Sequence, residues 1–224
     1  MSLDPIIQRL RKLEPILVPL ACIALFTGLF LEVREPVLPR IDSIGLWLVS
    51  AVRTPWLVSV MQAVSMAPFV ALPAAAILLF ARGRRADSLG LVSNVCVALL
   101  SCEVLKVVIA RPRPSDALVT ALSSSFPSGH ATVTAALVSF AALLWVRRRP
   151  DAALRALAVS LAAIALMDAS RVVLGVHYVS DVLAGDALGI FVTWCVWQAF
   201  ARMGSARRLA SEGSSDRTYG TNHA

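Results

Sequence analysis

An all-α membrane protein with six transmembrane helices is the fold this sequence predicts, and three observations predict it. The 224-residue chain is 58% hydrophobic and only 16% charged, with a mean hydropathy of +0.74, whereas a soluble domain carries about 25% charged residues. Its apolar residues gather in stretches near the ~20 residues a bilayer requires. Its arginines gather at the ends of those stretches. None of the stretches shows the two-residue alternation of a barrel strand, so the spans are helices.

The first span falls at about 16–31, behind a basic N-terminal segment (Arg9, Arg11, Lys12) that suits an interfacial amphipathic helix. No small-residue cleavage site separates this span from Glu32-Val33-Arg34-Glu35, so it reads as an uncleaved helix. The second span falls at about 56–80, the third at 88–110 and the fourth at 128–146. The fifth falls at about 152–174 and the sixth at 182–201. Residues 1–201 therefore read as one transmembrane domain. The polar segment 202–224 is expected to be a disordered tail.

Orientation follows from the basic clusters. The N-terminus, the 82–87 and 147–151 loops and the C-terminus carry them, which makes all four cytoplasmic in a cell inner (plasma) membrane. Segments 32–55, 111–127 and 175–181 then face the periplasm or exterior. Arg111 and Arg113 lie in an outward segment, against the trend, and charges kept there point to an anionic ligand.

The net charge of +7 does not indicate nucleic acid, because the basic residues border spans and form no basic face. Cys22, Cys96, Cys102 and Cys195 all fall in apolar segments without a CxxC pair, as buried small hydrophobes do. Gly185 and Gly189, four apart in the sixth span, permit close helix packing within the chain or between chains.

The chemistry-bearing residues cluster in three segments. In "KVVIARPRP", Lys106 lies near the outer end of the third span, where Glu103 can neutralise it as an i, i+3 pair. Pro112 and Pro114 stop that helix, so Lys106, Arg111 and Arg113 can converge on one anion. In "FPSGH", Pro127 opens a helix whose first N–H groups, from Ser128, Gly129 and His130, point outward with the positive end of the helix dipole, as phosphate-binding helix ends do. In "SRVVLGVHYVSD", His177 and Asp181 are four apart, and a carboxylate there can fix one imidazole nitrogen and leave the other as nucleophile or base. Arg171 adds a planar cation suited to phosphate oxygens. His130 and His177 fall on one face of the membrane; the third histidine, His223, lies in the tail. No acidic cluster resembles a metal cage, so metal-independent catalysis without a cofactor is expected.

These segments resemble the type 2 phosphatidic acid phosphatase (PAP2) superfamily, which shares its core with vanadium haloperoxidases. The family pattern K-x6-R-P is filled by Lys106 and Arg113-Pro114. P-S-G-H is filled by Pro127-Ser128-Gly129-His130, and S-R-x5-H-x3-D by Ser170-Arg171, His177 and Asp181. The resemblance implies a PAP2-like helical core in which His177 attacks phosphorus to form a phosphohistidine and Asp181 holds its ring. His130 would protonate the leaving oxygen and later activate water. Lys106, Arg113, Ser128, Gly129 and Arg171 would hold the phosphate oxygens, with Arg111 nearby but outside the pattern proper.

The function these readings imply is a lipid phosphatase of the compact bacterial kind. Its substrate would be a phospholipid or polyprenyl phosphate: undecaprenyl pyrophosphate, phosphatidylglycerophosphate, phosphatidate or a lipid A phosphate. A non-catalytic lipid-phosphate transporter is the competing class, but a transporter needs cations and no nucleophile. Membrane lipids are the expected surroundings, and the sequence leaves the oligomeric state open.

Overall fold

The computed structural model describes the backbone of residues 4–120 and 123–219, and the side chains of 16–120 and 123–203. The described residues form seven α-helices: α1 (Asp4–Val33), α2 (Arg40–Val52), α3 (Pro55–Ala81), α4 (Arg85–Ile109), α5 (Gly129–Arg148), α6 (Ala153–Val173) and α7 (Val179–Tyr219). Six of them, all but α2, contain a stretch long and apolar enough to cross a membrane. The six-span expectation is met, with boundaries within a few residues of those read from the sequence.

Two differences matter. The basic N-terminal segment and the first span are one continuous helix from Asp4. The outward segment 32–55, expected only as a connection, contains α2. At 13 residues this helix rises about 20 Å, short of the ~30 Å hydrocarbon core. It buries one narrow face, Asp42, Gly45 and Val49, at i, i+3 and i+7. At the other end of the chain, α7 begins before the expected tail and runs on as backbone helix to Tyr219.

Local sequence explains most helix limits. Thr54 caps α3 by accepting from the Leu57 N–H, with Pro55 in the first turn. Pro68 and Pro73 lie inside α3, a placement membrane helices tolerate. Ala110, left-handed at φ 50°, ends α4, and Pro112 follows it.

The central helix is α5, which packs against α3, α4, α6 and α7. Leu91, Val95, Val133, Leu137, Phe140 and Leu144 form the largest core cluster, and Phe140 meets Trp197 and Phe200 edge-on. Lipid offers no hydrophobic drive between helices, so small residues and polar contacts must hold them. A Cβ on Gly185 would lie 2.6 Å from the Ser128 carbonyl, and one on Gly189 2.5 Å from that of Thr132. The glycine pair is therefore a contact within the chain, pressing α7 onto α5. Asn94 adds the polar link by donating to the Ala136 carbonyl (2.9 Å) and to Thr193 Oγ1 (3.1 Å). Leu100, Val107, Ile77 and Leu154 point outward, as a lipid-facing surface requires. Cys22 and Cys102 are buried as expected, but Cys96 and Cys195 lie on that outer surface.

Candidate active site

Three connections meet over the same end of the helix bundle: 53–54, 110–128 and 174–178. The Ser125 N–H donates to the Arg111 carbonyl (2.8 Å), and the Leu118 N–H to that of Leu174 (3.0 Å). Arg53 ties the layers together by donating to the Val173 carbonyl (3.0 Å) and the Asp116 carboxylate (2.8 Å). Gly175, at φ +68°, leaves no room for a Cβ, which would lie 2.8 Å from the Asp116 carbonyl. The segment that carries Arg111 and Arg113 is thereby folded onto the ends of α6 and α7.

His177 sits in this junction, 2% exposed. Its Nδ1 lies 2.8 Å from the carbonyl oxygen of Ser125, and its Nε2 lies 3.2 Å from Arg113 Nη1. A carbonyl only accepts and a guanidinium only donates, so the proton belongs on Nδ1 and the lone pair on Nε2. Burial pushes the pKa of His177 down to about 4, against the opposing pull of Asp181 and with Arg113 and Arg171 adding to the fall. The imidazole is therefore neutral at pH 7, with Nε2 available as a nucleophile.

Asp181 contributes differently from what the sequence suggested. Its Oδ2 stands 3.6 Å from His177 Nδ1. That oxygen accepts from the Tyr178 N–H (2.8 Å) and from the Ser125 hydroxyl in a short hydrogen bond. Its Oδ1 meets Arg111 Nη1 at 2.5 Å. The carboxylate thus holds Ser125, and the Ser125 carbonyl holds the ring.

The cations surround the Nε2 face. Arg113 donates to the carbonyls of Ser123 (2.9 Å) and Val176 (2.6 Å), which aims its guanidinium at His177. Burial lowers its pKa against the pull of Asp181 and Glu103. Lys106 Nζ and Arg113 Nη2 each reach Ser123 Oγ at 3.3 Å, so the two cations do converge. Lys106 also pairs with Glu103 (3.1 Å), and its Nζ lies 3.3 Å from where a Gly129 Cβ would be. Arg171 is buried and close enough to His177, His130 and Arg113 to act on their charge. Its Nε has no hydrogen-bond partner.

The fourth-span motif is built as a helix start. Ser128 is the N-cap, its Oγ accepting from the Ala131 N–H, and its own N–H donates to the Asp181 carbonyl (2.9 Å). Of the three amides expected to face an anion, that of Ser128 is therefore occupied. Those of Gly129 and His130 are the first two helical N–H groups, which have no acceptor within the helix. The His130 ring stands edge-on to Phe69, centroids 5.2 Å apart. It feels Arg171, His177, Lys106 and Arg113 together, so both histidines belong to one cavity.

Arg111 lies behind this cavity. Its terminal nitrogens go to Asp181, Ser180 (2.8 Å) and Asp42 (2.7 Å), and its guanidinium stacks over the Tyr178 ring. Burial alone would lower its pKa, but Asp181 and Asp42 reverse this and raise it. Sequence reasoning missed Asp42, Ser180 and the serine run 123–125. Ser123 bridges two cations, Ser124 Oγ donates to the Lys106 carbonyl (2.7 Å) at the end of α4, and Ser125 joins Asp181 to His177. The only signal for the serines was their position directly before Phe126-Pro127. Asp168 of α6 meets Asp186 of α7. His223 lies outside the described residues.

A lipid A 1-phosphatase of Rhizobium johnstonii is 40% identical over 90 residues, which is 40% of this chain and 33% of that protein. Phosphatidylglycerophosphatase B of Bacillus subtilis is 40% identical over 98 residues, 42% of this chain and 48% of that protein. The matched segments thus span a third to about half of those relatives. Among solved structures, a transmembrane PAP2 type phosphatidylglycerolphosphate phosphatase from Bacillus subtilis superposes with a TM-score of 0.71 at 28% identity, covering 82% of this chain and 96% of that one. Aquifex aeolicus LpxE shares the fold, with a TM-score of 0.58 at 21% identity over 68% of this chain and 92% of that one. The family model described as the PAP2 superfamily matches residues 87–204, more than half of the chain and every motif residue placed above. With the three motifs inside a match that covers more than half of the chain, this multi-pass membrane protein belongs to the PAP2 superfamily.

Proposed function

We propose that this protein is a phosphatase acting on a lipid phosphate or lipid pyrophosphate at the outer leaflet, by way of a phosphohistidine on His177. The observation that carries the reading is the lone pair of His177 Nε2, fixed by the Ser125 carbonyl behind it and bordered by Arg113 in front. A binding protein or transporter has no use for a buried neutral imidazole aimed among cationic and amide donors.

In the first step Nε2 attacks phosphorus, the N–P bond forms and the P–O bond to the lipid breaks. His130 gives a proton to the leaving oxygen. In the second step His130 takes a proton from water, the hydroxide attacks phosphorus, and the N–P bond breaks to release phosphate. Lys106, Arg113, Arg171 and the amides of Gly129 and His130 face the oxygens on which charge builds. Side-chain cations supply there the charge that a divalent metal supplies in other phosphotransfer sites.

Two features favour a lipid as the phosphate carrier. The relatives named above are lipid phosphatases, and the site lies at one end of a bundle of membrane-length apolar helices. Between α1, α2 and α7 lies a cleft of about 540 Å³ lined by Leu25, Leu29, Val37, Ile41 and Leu183 together with Glu32, Glu35 and Arg40, which offers an acyl or prenyl chain an apolar wall. The topology read from the arginine clusters places this end outside the inner (plasma) membrane and both termini in the cytoplasm.

The test is phosphate release in detergent from phosphatidate, phosphatidylglycerophosphate, undecaprenyl pyrophosphate and a lipid A phosphate, with and without EDTA. Turnover of at least one lipid, insensitive to EDTA and absent in His177→Ala, is expected. Full turnover by His177→Ala would remove the nucleophile. Loss of activity in EDTA would overturn the metal-independent reading.

A further inference from the structure

Asp42 stands on α2, outside every motif of the site, yet its carboxylate is 1% exposed and fully engaged. Oδ1 accepts from the Ser180 N–H (2.8 Å), and Oδ2 from the Ser180 hydroxyl (2.7 Å) and Arg111 Nη2 (2.7 Å). Arg111 passes the contact on to Asp181 Oδ1 and rests on the Tyr178 ring, 4.2 Å from its centroid. A buried carboxylate is costly unless paired and hydrogen-bonded, and here every oxygen is matched.

The first turn of α7 is capped from two sides. Asp181, its third residue, accepts from the Tyr178 N–H as the returning half of a capping box. The free Ser180 N–H of the same turn is taken by Asp42 on another helix. Gly45 brings the two helices together: a Cβ there would lie 2.4 Å from Val179 Cγ2. So α2, too short to span the membrane, is seated on the very turn that carries the active-site acid.

Two carboxylates share one guanidinium in this row. Without Asp42, Arg111 is still neutralised by Asp181 but is held on one side only, and its guanidinium is free to turn. Asp181 would then lose the fixed partner of its Oδ1, and the Ser125 carbonyl that orients His177 would lose its support.

We propose that Asp42 is a positioning residue for the reaction at His177, acting through Arg111 and the first turn of α7 to fix Asp181, Ser125 and the imidazole in line. The assignment rests on the phosphatase reading for its kinetic part, and on the His177 tautomer for a part that does not need turnover.

The test uses the full chain in detergent, dioctanoyl phosphatidate as the probe, and ¹⁵N-histidine NMR, which three histidines make tractable. Asp42→Asn is expected to lower kcat about tenfold to a hundredfold, the range over which outer partners of a metal-bound histidine act. KM should stay within about twofold, and the Nδ1–H signature of His177 should give way to a mixture of tautomers. Arg111→Lys keeps the charge but lacks the planar fork whose two terminal nitrogens reach Asp181 and Asp42. It should reproduce both effects, and Asp42→Asn should add nothing on top of it. An Asp42→Asn protein with wild-type kcat and an unchanged His177 spectrum overturns the proposal. So does a loss of rate matched by an equal loss of folded protein whose His177 signal is unaltered. Should Asp42→Asn not fold, Arg111→Lys decides by the same two readouts. If the wild-type chain hydrolyses no lipid phosphate in the panel above, the functional reading falls, and the tautomer comparison still decides this one.

Discussion

The Nδ1 of His177 and the carbonyl oxygen of Ser125 stand 2.8 Å apart, closer than the imidazole stands to any carboxylate. A backbone carbonyl therefore fixes the tautomer, and the acid four residues on supports that carbonyl from behind through the Ser125 hydroxyl. The arrangement separates two tasks that a direct histidine–carboxylate pair combines: orienting the ring and tuning its charge.

Ser125→Ala tests this separation. It removes the hydroxyl that Asp181 holds but leaves the carbonyl in the chain. A hydrogen bond to a charged group contributes about 1.5–3 kcal/mol, so kcat should fall about tenfold to a hundredfold. It should remain well above that of His177→Ala, which removes the nucleophile itself. Steady-state phosphate release from the two variants, side by side, is the measurement.

The pH dependence carries its own sign. Protonating His177 removes the Nε2 lone pair, so activity falls as pH drops through its pKa in the free enzyme. Burial has moved that pKa down to about 4 from the ordinary histidine value near 6.5. The acid limb of kcat/KM assigned to His177 should therefore lie well below pH 6, and a profile from about pH 3 to about pH 8 reads it. A limb near 6.5 that moved in an Asp181 variant would place His177 in a wetter setting than the one described.

Arg113→Lys should be far from conservative. The guanidinium holds the Ser123 and Val176 carbonyls while facing His177, a fork that a lysine cannot reproduce. Loss of one oxyanion-stabilising group costs about 10²–10³ in rate, and the variant should lose at least that much. Vanadate, which mimics five-coordinate phosphorus, should inhibit the wild-type enzyme and bind this variant more weakly; inhibition curves for both proteins check the pair of statements.

The parts legible in the sequence were those with a period or a spacing. Apolar runs of membrane length gave the six spans, and Lys106, Arg113, His130, Arg171, His177 and Asp181 could be assigned to one cavity because their motifs lie at helix ends on one face. What could not be read were contacts made across the fold. Asp42 is a single acid on a short helix whose buried face has only three positions, and its partners Arg111 and Ser180 are far away in sequence. The amide of Ser128 looked free because its acceptor, the Asp181 carbonyl, comes from another helix. Ser125 acts through its backbone, which sequence patterns do not show.

The join between α5 and α7 should be the least tolerant packing contact in the bundle. It carries His130 on one helix and Asp181 on the other, and Gly189 lets them approach until a Cβ would lie 2.5 Å from the Thr132 carbonyl and 2.9 Å from the Ala135 Cβ. Neither of those is the end of a flexible side chain, so Gly189→Ala must push the helices apart. Overpacking of this kind costs about 1–3 kcal/mol, and the displacement also moves the acid away from the nucleophile. A lowered midpoint of thermal unfolding in detergent together with a fall in kcat is the expected result. Gly28→Ala is the matched control: a Cβ there meets nothing within 4 Å. Replacing a mid-helix glycine by alanine gains about 0.5–1 kcal/mol, so the control should unfold no lower than the wild type and keep its rate. If Gly189→Ala behaved like the control, α5 and α7 would not be packed as closely as described here.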